Sequence, residues 1–237
     1  MSKVKKVLSI DMDYIMGPSI QLYNDCAGND EFRQGKFWEK VNQLRGLDEF
    51  LKYDEKSLLY VMELFAKNAA ALKPENIFFA SEHDMILEFL CADEAKKDFR
   101  FDIYNVDHHH DIYYNPQQKS EVDRFDFACL ANWVYYLGKN HKIEKYHWIS
   151  NNLSQPFDKN ELHNLIFPVD FDTAKKRKNL FDIDFDYVFV CRSAEYFPDK
   201  FKHFFELLRV TACGIHRQDF PVWNQDYCID GKTRHVL

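Results

Sequence analysis

The stretch FRFDIYNVDHHHD, residues 99–111, decides how this chain is read. Residues 99–107 have the aromatic and β-branched content of a strand. Successive side chains of a strand point to opposite sides. Carried past the strand's end, that alternation turns Asp107, His109 and Asp111 to one side and His108 and His110 to the other. A D-x-H-x-D array puts two carboxylates and an imidazole into one small volume. Unpaired, the carboxylates repel each other and are costly to desolvate, and a divalent cation removes that cost.

Two other strands end in the same manner. The apolar run VKKVLSI (4–10) runs into Asp11 and Asp13, two residues apart and turned to one side, with no Lys or Arg beside them as partner. NIFFAS (76–81) stops before Glu82, His83 and Asp84, and His83 opens a predicted helix from which it can point across the same sheet edge. Taken singly, D-x-D is more often a turn or a cap, an HHH run can be a solvated loop, and a lone His can be a cap or a surface residue. The conjunction at three strand ends argues for a metal site. Its ligands are Asp11, Asp13, His83, Asp107, His109 and Asp111. Mixed carboxylate and imidazole donors suit Mn²⁺, Fe²⁺ or Zn²⁺. Six protein ligands exceed what a catalytic mononuclear site uses. With bridging carboxylates they suit two ions about 3.5–4 Å apart.

Helical patterns separate the strands. They cover 37–51, 54–72 with Asp54 as cap and a stop before Pro74, 85–97, 125–138 ending at Gly138, and the segment that follows Pro198. Further strands are read at 145–150 and 187–192. Residues 151–184 read as irregular and polar, and the tail 213–237 has little periodicity. Such alternation predicts an α/β fold, doubly wound, with a mainly parallel sheet and helices on both faces. In such sheets ligands lie outside the carboxyl ends of the strands, where the acidic and imidazole groups fall. The length fits one domain over 1–237.

The net charge of −7 argues against a nucleic-acid partner, which needs clustered Lys and Arg, and is compatible with a cationic substrate. The 22 Phe and 13 Tyr suit a Phe-rich core. None of the six cysteines forms a C-x-x-C pair and several sit in apolar runs, as free thiols of a reducing cytosol do. The apolar run after MSKVKK is broken at Asp11 and Asp13, so it is no signal sequence, and no run approaches a membrane span. A cytoplasmic protein with no membrane partner is expected; the oligomeric state is left open.

The motif DHHHD at 107–111, a separate His at the end of another strand (His83) and an apolar strand ending D-x-D (SIDMDY) together resemble the arginase-like, or ureohydrolase, superfamily. That resemblance implies a manganese pair. One ion is held by His83, Asp107, Asp111 and Asp11, and the other by His109, Asp107, Asp11 and Asp13, so that Asp107 and Asp11 bridge. The order departs from ordinary arginases, whose D-x-D strand comes late in the chain. A late alternative, FDIDFD with Asp182, Asp184 and Asp186, precedes its strand instead of ending one and ranks second. The marks IDMDY, VDHHHD, ANW (131–133) and CRSAEYFP (191–198) are closer to an arginase-related family that includes peptide arginases, which convert arginine side chains of peptides to ornithine with release of urea. On this resemblance Asp107, His109 and Glu195 take part in the reaction, and Glu195 and Asn132 face an arginine-containing peptide. No shuttle histidine is recognisable after Asp111, and neither is the loop that grips a free amino acid's α-groups.

Competing readings remain. VDHH at 106–109 also resembles the DHH-type phosphoesterases, although no His precedes Asp11 where that family carries one. An amidohydrolase of the deacetylase branch uses one ion and leaves some of the six residues without a role. A binding module with a structural metal site is the reading without catalysis.

Overall fold

The computed structural model describes residues 3–17, 52–91, 96, 98–112, 132–154, 170–175, 178–193 and 196–223. Seven strands form one sheet: β1 (Lys3–Asp11), β2 (Ile77–Ala80), β3 (Phe99–Val106), β4 (Ile143–Ser150), β5 (Asp170–Lys175), β6 (Tyr187–Cys191) and β7 (Val222–Trp223). Their order is β5-β4-β3-β1-β6-β2-β7, and every neighbouring pair is parallel. Four helices are described: α1 (Glu55–Ala71), α2 (Ile86–Cys91), α3 (Trp133–Lys139) and α4 (Lys202–His216). The fold is the expected α/β one with a parallel sheet.

Strand alternation divides the core in two. Leu8 and Ile10 of β1, Tyr104 and Val106 of β3, and Val188 and Val190 of β6 pack with Val61, Leu64 and Phe65 of α1 and Phe205, Leu208 and Ala212 of α4. Val7, Ile103, Tyr187 and Phe189 face the other way, against Ile86 and Leu90 of α2 and Trp133 and Leu137 of α3. Helices therefore cover both faces, and each buries the stripe that its three-to-four residue spacing provides. Each fully buried side chain of this kind contributes roughly 1.5–3 kcal/mol.

The helix starts follow the local chemistry. Asp54 caps α1: its carboxylate accepts from the backbone N–H of Lys56 at 3.3 Å and of Ser57 at 3.1 Å, and from Ser57 Oγ at 2.6 Å. The helix stops at Ala71, before Pro74, as read. Pro198 leads into a 3₁₀ turn (Asp199–Phe201) that opens α4. The helix read at 85–97 begins as a 3₁₀ turn (His83–Met85) and continues as α2; residues 92–95 and 97 lie outside the described residues. So do the helix read at 37–51 and the 125–131 part of the helix read at 125–138.

One expectation is corrected. Residues 151–184, read as irregular, contain β5 and a 3₁₀ turn (Lys178–Asp182). β5 is an edge strand that pairs with β4 alone. Its sequence DFDTAK lacks the apolar run by which interior strands are recognised. In the tail, β7 adds to the opposite edge.

β1 lies at the centre of the sheet. The chain leaves it toward β2 on one side, and leaves β3 toward β4 on the other. The carboxyl ends of β1 and β3 therefore flank the point where the winding reverses, the usual place for a ligand crevice in such sheets. No helix among the described residues is long and apolar enough to cross a membrane.

Candidate metal centre

The register Ile10↔Val106 brings Asp11, the last residue of β1, beside Asp107, the residue just after β3. Beyond this point the strand geometry stops, and side-chain to backbone hydrogen bonds take over. Asp11 Oδ1 accepts from the N–H of Asp13 at 3.0 Å and starts a 3₁₀ turn (Met12–Ile15). Asp107 Oδ1 accepts from the N–H of His109 at 2.8 Å, and Asp13 Oδ1 accepts from the N–H of His108 at 3.2 Å. Short acidic side chains favour such local bonds. Asp111 takes a left-handed backbone, φ 51°, which Asp tolerates better than most residues. These bends give the sidedness that simple alternation predicted, by a different route.

Two pockets result. In the first, the buried Nδ1 of His83 has Asp11 Oδ2 at 3.0 Å, Asp111 Oδ2 at 3.0 Å and Asp107 Oδ2 at 3.3 Å. That nitrogen makes no well-directed hydrogen bond. One N–H can satisfy one oxygen, whereas three oxygens gathered about one buried nitrogen fit the shell of a cation. The ring is held from behind: Nε2 lies 2.7 Å from Ser9 Oγ, and Phe189 stacks on it at 5.7 Å with Trp133 tilted against it at 4.9 Å. With Nε2–H donating to Ser9, the Nδ1 lone pair faces the carboxylates, the tautomer a metal ligand needs. In the second pocket, donor atoms of Asp13, Asp107 and His109 lie within 4.8 Å of one another, and His109 Nδ1 is 2.8 Å from Asp13 Oδ2. Asp107 belongs to both pockets. These buried groups can hold a metal ion.

The electrostatics point the same way. Burial raises the Asp11, Asp13 and Asp111 carboxyls above the ordinary carboxylate value, and neighbouring carboxylates push in the same direction. Asp107 is the exception: burial opposes its ionisation, but the His83 and His109 groups beside it hold it below the usual range. For His83, burial disfavours the imidazolium, yet Asp111, Asp107 and Asp11 together raise it well above 6.5. Without an ion, protonated His83 is the local counter-charge. An ion replaces that proton.

The structure brings together all six residues singled out in the sequence. His108 and His110 turn away, as read. His108 Nδ1 lies 3.2 Å from Asn151 Oδ1, and His110 Nδ1 accepts from the N–H of Ile112 at 3.1 Å. Burial is the main reason both are pushed down to about 4. The second-ranked D-x-D is elsewhere: Asp186 pairs with Lys5 Nζ and accepts from the N–H of Lys6, below the other end of β1. Asn132 is buried at the N-cap of α3, next to Trp133. Glu195 lies outside the described residues.

Several residues of the site were not foreseen. Trp133 Nε1 donates to Asp111 Oδ2 at 2.5 Å, and Trp148 Nε1 donates to the Asp107 carbonyl at 3.0 Å. Asn105 Nδ2 donates to Asp107 Oδ2 at 2.9 Å and lies 2.9 Å from the Tyr146 hydroxyl, which donates to the His110 carbonyl at 2.8 Å. Cys191, the last residue of β6, stands in register with Asp11. Ser9 and Asn105 carried a usable signal, since each precedes a ligand by two residues and so shares its side of the strand. Such outer partners commonly contribute 10–100-fold to metal affinity. Trp133→Phe keeps the ring against His83 and removes the N–H to Asp111. It is expected to weaken ion binding by about 10–100-fold in calorimetric titration, with little change in fold.

The chain matches no protein-family model, no curated protein and no solved structure.

Proposed function

We propose that the chain is a metal-dependent hydrolase that cleaves the guanidino group of arginine residues in a peptide, giving ornithine and urea, with two divalent ions, manganese as the working metal. The observation that carries this reading is the convergence of three carboxylates on the buried Nδ1 of His83, with a second acidic and imidazole pocket sharing Asp107. An ion pair of this kind supplies a water of lowered pKa near neutral pH.

The chain's residues have separate tasks in this reading. Asp107 belongs to both pockets, Asp11 is assigned with it to bridge them on the family resemblance, and His83 and Asp111 complete the first. Asp13 and His109 complete the second. His109 is 31% exposed, whereas the His83 side chain is 2% exposed, so substrate reaches the centre from the His109 side. Tyr196, 4.7 Å from His109 between ring centres, borders that approach. A guanidinium is always charged and planar, and suits an acidic centre entered beside an aromatic ring. Glu195, next to Tyr196 in sequence, is the carboxylate assigned to orient it, and Asn132 is assigned to the substrate's other contacts. No loop that grips a free amino acid's α-groups is recognisable in the sequence, which favours arginine within a peptide over the free amino acid. We place the reaction in the cytoplasm, with no role for nucleic acid or membrane.

The test is metal content after purification without chelators, then urea release after manganese loading, from free arginine and from arginine-containing peptides. Two ions per chain and urea from peptides alone support the reading. Two ions with phosphodiester hydrolysis and no urea replace it with the phosphoesterase, and one ion with amide hydrolysis replaces it with the deacetylase branch. Absence of bound metal removes it.

A further inference from the structure

Cys191 ends β6 directly beside Asp11 in the register, on the sheet face that also carries Ser9, Asp11 and Asn105. Its sulfur, a nitrogen of His83 and an oxygen of Asp11 lie within 4.8 Å of one another. We propose that Cys191 is a ligand of the ion in the His83 pocket, so that this position prefers a thiophilic metal such as zinc, iron or cobalt over manganese. The inference rests on the metal centre proposed above and changes the expected identity of one of its two ions.

Three observations support it. First, the His83 Nδ1 that faces this pocket is buried and makes no well-directed hydrogen bond, so the pocket has an unused donor aimed into it. Second, the sulfur accepts a hydrogen bond from the N–H of Ser193 at 3.0 Å, which fixes its position at the end of β6. Ser193 reaches it from a left-handed backbone, φ 55°, an uncommon conformation for a residue with a side chain. Third, the sulfur's other polar contact, to the Ser81 carbonyl at 3.7 Å, is long and leaves the thiol weakly held there. Metal binding exchanges the thiol proton for the ion, with the proton released to solvent. Soft thiolate donors select zinc and iron, whereas manganese prefers carboxylate oxygen. The second pocket, with Asp13, Asp107 and His109, contains no sulfur donor among the described residues. A mixed pair of ions follows, one thiophilic and one hard.

Cobalt titration of the full chain tests this. Visible ligand-field bands report an ion in the centre, and a near-ultraviolet sulfur-to-cobalt charge-transfer band reports the thiolate. We expect both in the wild-type protein and only the ligand-field bands in Cys191→Ser, with the preference for zinc over manganese reduced about 10-fold, the scale on which a metal-site partner acts. Ligand-field bands without charge transfer in the wild type overturn the Cys191 assignment and leave the centre standing. No cobalt bands at all overturn both. If Cys191→Ser does not fold, X-ray absorption of the zinc-loaded wild type decides. A sulfur scatterer at about 2.3 Å supports the ligand, and a shell of nitrogen and oxygen alone overturns it.

Discussion

Replacing Asp107 by alanine is expected to empty both ion positions and abolish turnover. Asp107 is the carboxylate found in both groups, with Oδ2 facing His83 and the residue grouped again with Asp13 and His109. Its loss should exceed the roughly 10–100-fold penalty of losing an outer partner, because it removes a ligand from both ions at once. Alanine also removes the acceptor for the His109 N–H. Asp107→Asn restores that acceptor without the charge, so a bend that merely needed its hydrogen bond would recover in the Asn variant. We expect no recovery of metal content by mass spectrometry in either. Asp13→Asn is the contrasting case. It touches the second pocket only and should leave one ion per chain. Because burial and neighbouring carboxylates hold the Asp13 carboxyl well above its usual range, its neutral replacement should raise the melting temperature of the metal-free protein. Full activity in Asp107→Ala would end the assignment of this site.

The second large effect is on stability as a function of pH, with and without metal. In the metal-free protein Asp11, Asp13 and Asp111 hold their protons above the carboxylate value of 3.8. Each then ionises against its neighbours as pH rises, so the fold loses stability upward in pH. His83 acts in the same sense. Its stabilising contribution is complete below 6.5 and is lost as pH rises through its higher folded value. Asp107 opposes this trend only in acid, since its contribution is present above 3.8 and is lost as pH falls through its lowered value. The chelated protein should therefore melt at falling temperature as pH rises above 6.5. Ions compete with those same protons, so their affinity rises over that interval. At a hundredfold excess over Kd one ion adds about 2.7 kcal/mol. For a chain of this size that is roughly 5–10 °C in Tm. Scanning calorimetry of the two forms should give curves that diverge with pH. Curves that stay parallel would refute coupling between the carboxylates and the metal.

How much of this was legible beforehand depended on range. The apolar runs before Asp11, His83 and Asp107 identified three parts of one sheet edge, because a parallel sheet collects strand ends on one side. Sidedness within DHHHD was read correctly although the strand ends at Val106, because the Asp107 and Asp13 carboxylates fix the bend through backbone N–H groups. β5 was missed because its edge position relaxes the demand for apolar residues. Trp133, Trp148 and Tyr146 approach the site from distant parts of the chain, and nothing local marks a tryptophan as the partner of a carboxylate. Cys191 looked like a core residue of an apolar strand, and only the pairing of β6 with β1 places it beside Asp11.

The central position of β1 has a kinetic consequence. Val7 pairs with Ile103 on one edge and with Tyr187 on the other, so β1, made before both partners, waits for β6 before both its edges are closed. Loop closure over such separations slows folding, and an apolar strand with open edges is prone to aggregate meanwhile. The charged pair Lys5 and Lys6, at the start of β1, is the kind of residue that discourages edge-to-edge association during that wait. The donors come from β1, β3 and the segment after β2, and β6, the strand that separates β2 from β1, is made after all of them, so the sheet edge that gathers them is completed late. A bound metal would therefore arrive late and slow unfolding, and supplying it during synthesis should protect the finished protein more than it speeds its folding.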